Sequence, residues 1–128
     1  MRRLLLILGT VACRGDGIFT PPSCAGDVTL AASPGTVPDF TWEPRCAVYR
    51  LMVFDSDASP VWGIDSEDER NRLEPPIRYS VVPGGAEQVF VLPPLRSGSY
   101  YTVHVYRLER GEDGGSAFPR AGELVFRP

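Results

Sequence analysis

Apolar residues in this chain fall into short runs, cut roughly every 8–12 positions by Gly, Pro, Asp or Ser. Such punctuation favours strands and turns over helices. The pattern predicts strands at Asp27 to Ala32, Asp39 to Trp42, Ala47 to Asp55, Val61 to Ile64, Ile77 to Val82, Gln88 to Leu92, Ser99 to Leu108 and Glu123 to Phe126. Ala47 to Asp55 is rich in β-formers and nearly alternates. In Ser99 to Leu108, Tyr101, Val103 and Val105 are predicted to face one way, and Thr102, His104 and Tyr106 the other. Ser56 to Pro60 reads as a hairpin turn. Asp65 to Arg72 is a charged stretch with room for one helical turn, ended by Pro75-Pro76. The expected fold is all-β: an antiparallel β-sandwich of about seven strands.

The first residues follow a different rule. Met1-Arg2-Arg3 precedes five aliphatic residues, Leu4 to Leu8, and Gly9-Thr10-Val11-Ala12 leads to Cys13. A charged start, a short apolar run and small residues form an export signal. Leu4 to Ala12 is far shorter than the roughly 20 apolar residues of a membrane span. Thr10-Val11-Ala12-Cys13 resembles a bacterial lipobox, with Thr10 where leucine is usual. That resemblance implies lipidation of Cys13 and anchoring of a mature chain, 13–128, to the cell membrane or the outer membrane. An ordinary secretory signal, giving a secreted protein, is the alternative, and an apolar first strand of a cytosolic domain is the third. The expected organisation is a signal peptide at 1–12, a lipidated N-terminus and linker at 13–26, and one domain at 27–128.

Three cysteines, Cys13, Cys24 and Cys46, leave one unpaired in an oxidising compartment. Lipidation of Cys13 accounts for it and frees Cys24 and Cys46 to form a disulfide. Two buried free thiols are the other reading. A zinc site is not expected, because the cysteines lack paired spacing and His104 is the single histidine.

Charge narrows the partners. The formal net charge is −3, and losing Arg2 and Arg3 leaves 11 basic against 16 acidic residues, or −5. An acidic surface argues against nucleic acid. Every basic residue is arginine.

Leu95-Arg96-Ser97-Gly98-Ser99-Tyr100-Tyr101, followed by alternating β-residues, resembles the corner motif of fibronectin type III domains. Leu95, Gly98 and Tyr101 match it in register. The resemblance implies a tyrosine corner at Tyr101, whose hydroxyl bonds nearby backbone. It also makes Trp42 a core residue of the second strand and Tyr49 the aromatic of the third. The similarity covers about Asp27 to Phe126. It implies that Cys24 and Cys46 lie at one pole of an immunoglobulin-like sandwich. It implies no activity, because this architecture hosts many functions.

Candidate chemistry is sparse. Arg14-Gly15-Asp16 spells an integrin-binding tripeptide beside the anchor, where a linker is the simpler reading. Asp55-Ser56-Asp57 and Asp65 to Glu69 hold enough carboxylates for calcium, yet lack the glycine of an EF-hand loop. They read as solvated loops, with Arg70 and Arg72 offsetting the acids. Trp62, Tyr100 and Tyr106 are candidate sugar platforms, against the simpler reading of packing residues. His104 has no nucleophile or orienting acid placed near it by a motif. No catalytic residue, cofactor or metal ligand is nominated. The expected role is a non-catalytic cell-envelope lipoprotein presenting a β-sandwich to another envelope protein. A surface carbohydrate-binding module is the alternative, and a small hydrolase or metal-dependent enzyme the third class. The oligomeric state has no signature in the sequence.

Overall fold

The computed structural model describes residues 22–91 and 94–128. The signal segment, Cys13 and the Arg14-Gly15-Asp16 tripeptide lie outside the described residues. The chain folds as an antiparallel β-sandwich. One sheet is formed by β1 (Thr29–Ala32), β2 (Asp39–Glu43) and β5 (Ile77–Arg78), in the order β1-β2-β5. The other contains β3 (Arg50–Phe54), β4 (Pro60–Ser66), β6 (Ala86–Val91), β7 (Tyr101–Tyr106) and β10 (Arg120–Phe126), in the order β10-β7-β3-β4-β6. A small ribbon pairs β8 (Glu109–Arg110) with β9 (Ser116–Ala117).

Alternation builds the core. Along β7, Tyr101, Val103 and Val105 are buried while Thr102, His104 and Tyr106 are half-buried on the other face, as their parity predicts. Leu30, Phe40, Trp42 and Ile77 from one sheet meet Leu51, Val53, Trp62, Ile64, Val103 and Val105 from the other. Full burial of such a side chain stabilises the fold by about 1.5–3 kcal/mol. Trp42 takes the expected core place, and its indole donates to the Cys46 carbonyl at 2.8 Å.

Several boundaries differ from the expected ones. The strand expected at Ile77 to Val82 stops after Arg78. Tyr79 donates to the Pro38 carbonyl, Ser80 adopts a positive φ of 67°, and Val81 and Val82 turn outward. Residues 67–70 form bends, and no helical turn appears between 67 and 72. Asp65 and Ser66 belong to β4 and are buried, so they are not part of a solvated loop. Tyr49 precedes β3 and is half-buried against Phe118, because Val48 takes the interior position beside it.

The strand before the corner is also placed unusually. β6 pairs with β4, running from Ser66 opposite Ala86 to Trp62 opposite Val91. In immunoglobulin-type sandwiches the strand preceding the corner strand lies in the opposite sheet. Here the short β5 completes that sheet, and β6 extends the larger one.

Candidate functional site

The strand registers divide the sandwich into two poles. β3 runs from Arg50, opposite Tyr106, to Phe54, opposite Thr102. The first pole holds the segment entering from Pro22. The second holds the β3–β4 hairpin, the corner and the C-terminus.

At the first pole Cys24 and Cys46 form the expected disulfide, with their Cα atoms 4.9 Å apart. The neighbouring backbone is tied as well: Cys24 donates to the Ala47 carbonyl, and Ala47 donates to that of Pro22, each at 2.9 Å. Asn71 bridges to Leu108 in both directions, accepting from its N–H at 2.7 Å and donating to its carbonyl at 3.1 Å. Arg50 forks onto Asp65, with Nε to Oδ1 at 2.6 Å and Nη2 to Oδ2 at 2.8 Å. Asp65 is only 6% exposed, so this bidentate pair supplies the charge its burial requires. The guanidinium also lies 5.9 Å from the Tyr49 ring centre and 5.8 Å from that of Phe118. Burial raises the Tyr49 phenol above its ordinary value, helped by the Asp65 carboxylate, and burial likewise raises Tyr106. A cleft of about 330 Å³ opens here, lined in part by Arg72 and Arg110. Two of the arginines lining it meet acids, Arg72 on Asp68 at 2.9 Å and Arg110 on Glu69 at 3.1 Å.

At the second pole the Tyr101 hydroxyl accepts from the Arg96 N–H at 2.9 Å, and Leu95 is buried beneath it. Gly98 adopts a φ of +85°, a backbone conformation that favours glycine. Its N–H donates to the Pro128 carbonyl and its own carbonyl accepts from Arg127 Nε, both at 3.1 Å. That contact sets the Arg127 guanidinium 5.3 Å from the centre of the Tyr100 ring. In the hairpin, Asp55 Oδ1 accepts from the N–H groups of Asp57 and Ser59 at 2.9 and 3.0 Å. This is turn chemistry, in which the side chain mimics backbone.

Two adjoining clefts, of about 410 and 310 Å³, open at this pole, and both are lined by Asp55, Ser56 and Tyr100. Arg96 and Ser99 are among the other residues lining the larger; Phe54, Thr102, His104 and Glu123 are among those lining the smaller. His104 Nδ1 lies 3.0 Å from the Tyr106 hydroxyl, and Nε2 lies 3.5 Å from Glu123. Its ring packs against Phe54 with centres 5.0 Å apart.

The three aromatic candidates are dispersed. Trp62 is 1% exposed, packs on Tyr79 and donates its indole N–H to Gln88 at 2.7 Å, so it offers no surface platform. Tyr106 is half-buried beside His104. Tyr100, at 56%, is the exposed member of the three. Of the carboxylate clusters, Asp55 serves its turn, Asp65 binds Arg50, and Asp68 and Glu69 pair with arginines. Among the described residues no three His, Cys, Asp or Glu side chains are grouped to hold a metal, and no helix is long and apolar enough to cross a membrane.

The chain matches no protein-family model, no curated protein and no solved structure. Function must therefore be argued from the two poles themselves. Sequence reasoning singled out Tyr100 and His104 separately. It missed Phe54, Asp55 and Glu123 as their neighbours, because three strands and two loops bring them together.

Proposed function

We propose that the chain is a non-catalytic, exported, lipid-anchored interaction domain of the cell envelope, and that its sandwich binds another envelope protein. The observation carrying this reading is the Cys24–Cys46 disulfide. It uses two of the three cysteines, it belongs in an oxidising compartment, and it leaves Cys13 for acylation. The disulfide also fixes where the tether meets the domain. Nine residues separate Cys13 from Ser23, a reach of at most ~36 Å. The first pole would then lie toward the bilayer and the second toward solvent.

The surroundings of His104 favour a binding role over catalysis. Its partners among the described residues are Tyr106, Glu123 and the Phe54 ring. The hydroxyl held against the imidazole is the half-buried Tyr106 phenol, whose ionisation burial disfavours, and no serine, threonine or cysteine is among these partners. The similarity to fibronectin type III domains adds architecture and no activity. A glycan-binding role would have to rest on Tyr100 alone, since Trp62 is inside the fold.

Fractionation of expressing cells tests the reading. Wild-type chain is expected in the membrane fraction, and Cys13→Ser chain in a soluble exported fraction. Wild-type chain in the cytosol with reducible cysteines would defeat it. Wild-type chain soluble outside the membrane would leave a secreted protein.

A further inference from the structure

We propose that the smaller cleft at the second pole receives a cationic side chain, lysine or arginine, from the protein partner. The inference rests on the reading of the domain as a protein-binding module and names the chemistry it recognises. The cleft measures about 310 Å³ and combines three rings with two carboxylates: Phe54, Tyr100 and His104 with Asp55 and Glu123. Ring faces attract a cation through their quadrupoles, and carboxylates supply the countercharge.

Three observations give the direction of recognition. First, Tyr100 is exposed yet already engages one guanidinium, that of Arg127, which the Gly98 carbonyl holds in place. The ring thus already accommodates one cation beside it. Second, Asp55 has no cationic partner among the described residues. Both of its turn hydrogen bonds use Oδ1, so Oδ2 lies outside that pattern. Third, the acids are less neutralised here than in the cleft at the first pole. Glu123 meets Arg120 at 3.3 Å, whereas Asp55 lacks such an answer. The acidic mature chain adds long-range attraction for a basic partner. An anionic or phosphorylated partner would meet two carboxylates and is disfavoured.

His104 is the single histidine and forms part of the cleft wall, so its ring resonances report occupancy directly. The detergent-solubilised chain would be titrated with the capped tripeptide Gly-Lys-Gly, with capped Gly-Gln-Gly, and with chitotriose, following the His104 ring by NMR. The lysine peptide is expected to give a saturable shift that weakens with salt. Asp55→Asn should weaken it about fivefold, and Tyr100→Ala by a similar factor. Asparagine retains the Oδ1 acceptor of the turn, and Tyr100 is exposed, so both variants should keep the indole resonances of Trp42 and Trp62. An equal response to the glutamine peptide, a response to chitotriose alone, or no response to any probe would overturn the proposal. Retained affinity in Asp55→Asn would overturn it too. The titration does not depend on acylation of Cys13, so a failure of the anchoring reading and a failure of this one remain distinguishable.

Discussion

The two poles of this sandwich are built by different means. The first is cross-linked: a disulfide, a forked ion pair and a reciprocal amide bridge join segments far apart in sequence. The second is held by turn geometry, a tyrosine hydroxyl and an exposed Arg78–Asp39 ion pair, and it leaves two clefts open. The covalent cross-link and the buried ion pair therefore lie at the pole the chain enters from Pro22, while open aromatic and acidic surface lies at the other end.

Substitutions should break the comparison in a definite order. Replacing Cys24 and Cys46 by serine opens a loop with a sequence separation of 22 residues. The expected cost is about 3 kcal/mol, or a Tm lower by roughly 15 °C, measured by calorimetry. Arg50→Ala comes next. It strands the buried Asp65 carboxylate and should cost about 2–3 kcal/mol in a denaturant titration. Tyr101→Phe removes the bond to Arg96 N–H at the second pole and should cost about 1 kcal/mol. Tyr100→Ala should change stability by less than about 0.5 kcal/mol, since it releases only an exposed contact with Arg127. If Tyr101→Phe cost more than the cysteine pair, the contrast between the poles would be wrong.

The smallest effects are in pH. Burial raises the phenols of Tyr49 and Tyr106, so the folded state disfavours their ionised forms. Their contribution is complete below the unfolded tyrosine value of 10.0 and is lost as pH climbs from there through the folded values. Denaturation midpoints should therefore fall above pH 10, in step with phenolate absorbance. Arg78 acts oppositely on Asp39, where a hydrogen bond holds the carboxyl below 3.8. That contribution is present above pH 3.8 and lost as pH falls through the folded value. The pair is exposed, so the acid-side change should be the lesser one.

Local pattern made part of this molecule readable. The alternation of Tyr101 to Tyr106 specified a strand with one buried face, and the structure has it. The odd cysteine count pointed to the Cys24–Cys46 pair. The spacing of Leu95, Gly98 and Tyr101 located the corner. Other features depend on partners distant in sequence. Asp65 reads as the start of a charged loop until Arg50 is seen opposite it in the ladder. Tyr49 reads as a core aromatic until Val48 claims the interior. The pairing of β6 with β4 has no local signature, because an edge strand of this composition suits either sheet. Gly63 shows the same limit. It lies opposite Met52, whose sulfur occupies the space a side chain there would need. The cleft was hidden for the same reason: Phe54, Asp55, Tyr100, His104 and Glu123 converge only after the sheet is assembled.

The central claim is that one cysteine anchors the chain and the other two staple the pole beside the anchor. The most direct measurement is the non-reduced intact mass of the protein extracted from membranes of expressing cells. The account predicts a chain beginning at Cys13, carrying added acyl mass and lacking two hydrogens for one disulfide. An unprocessed mass with three free thiols would contradict it.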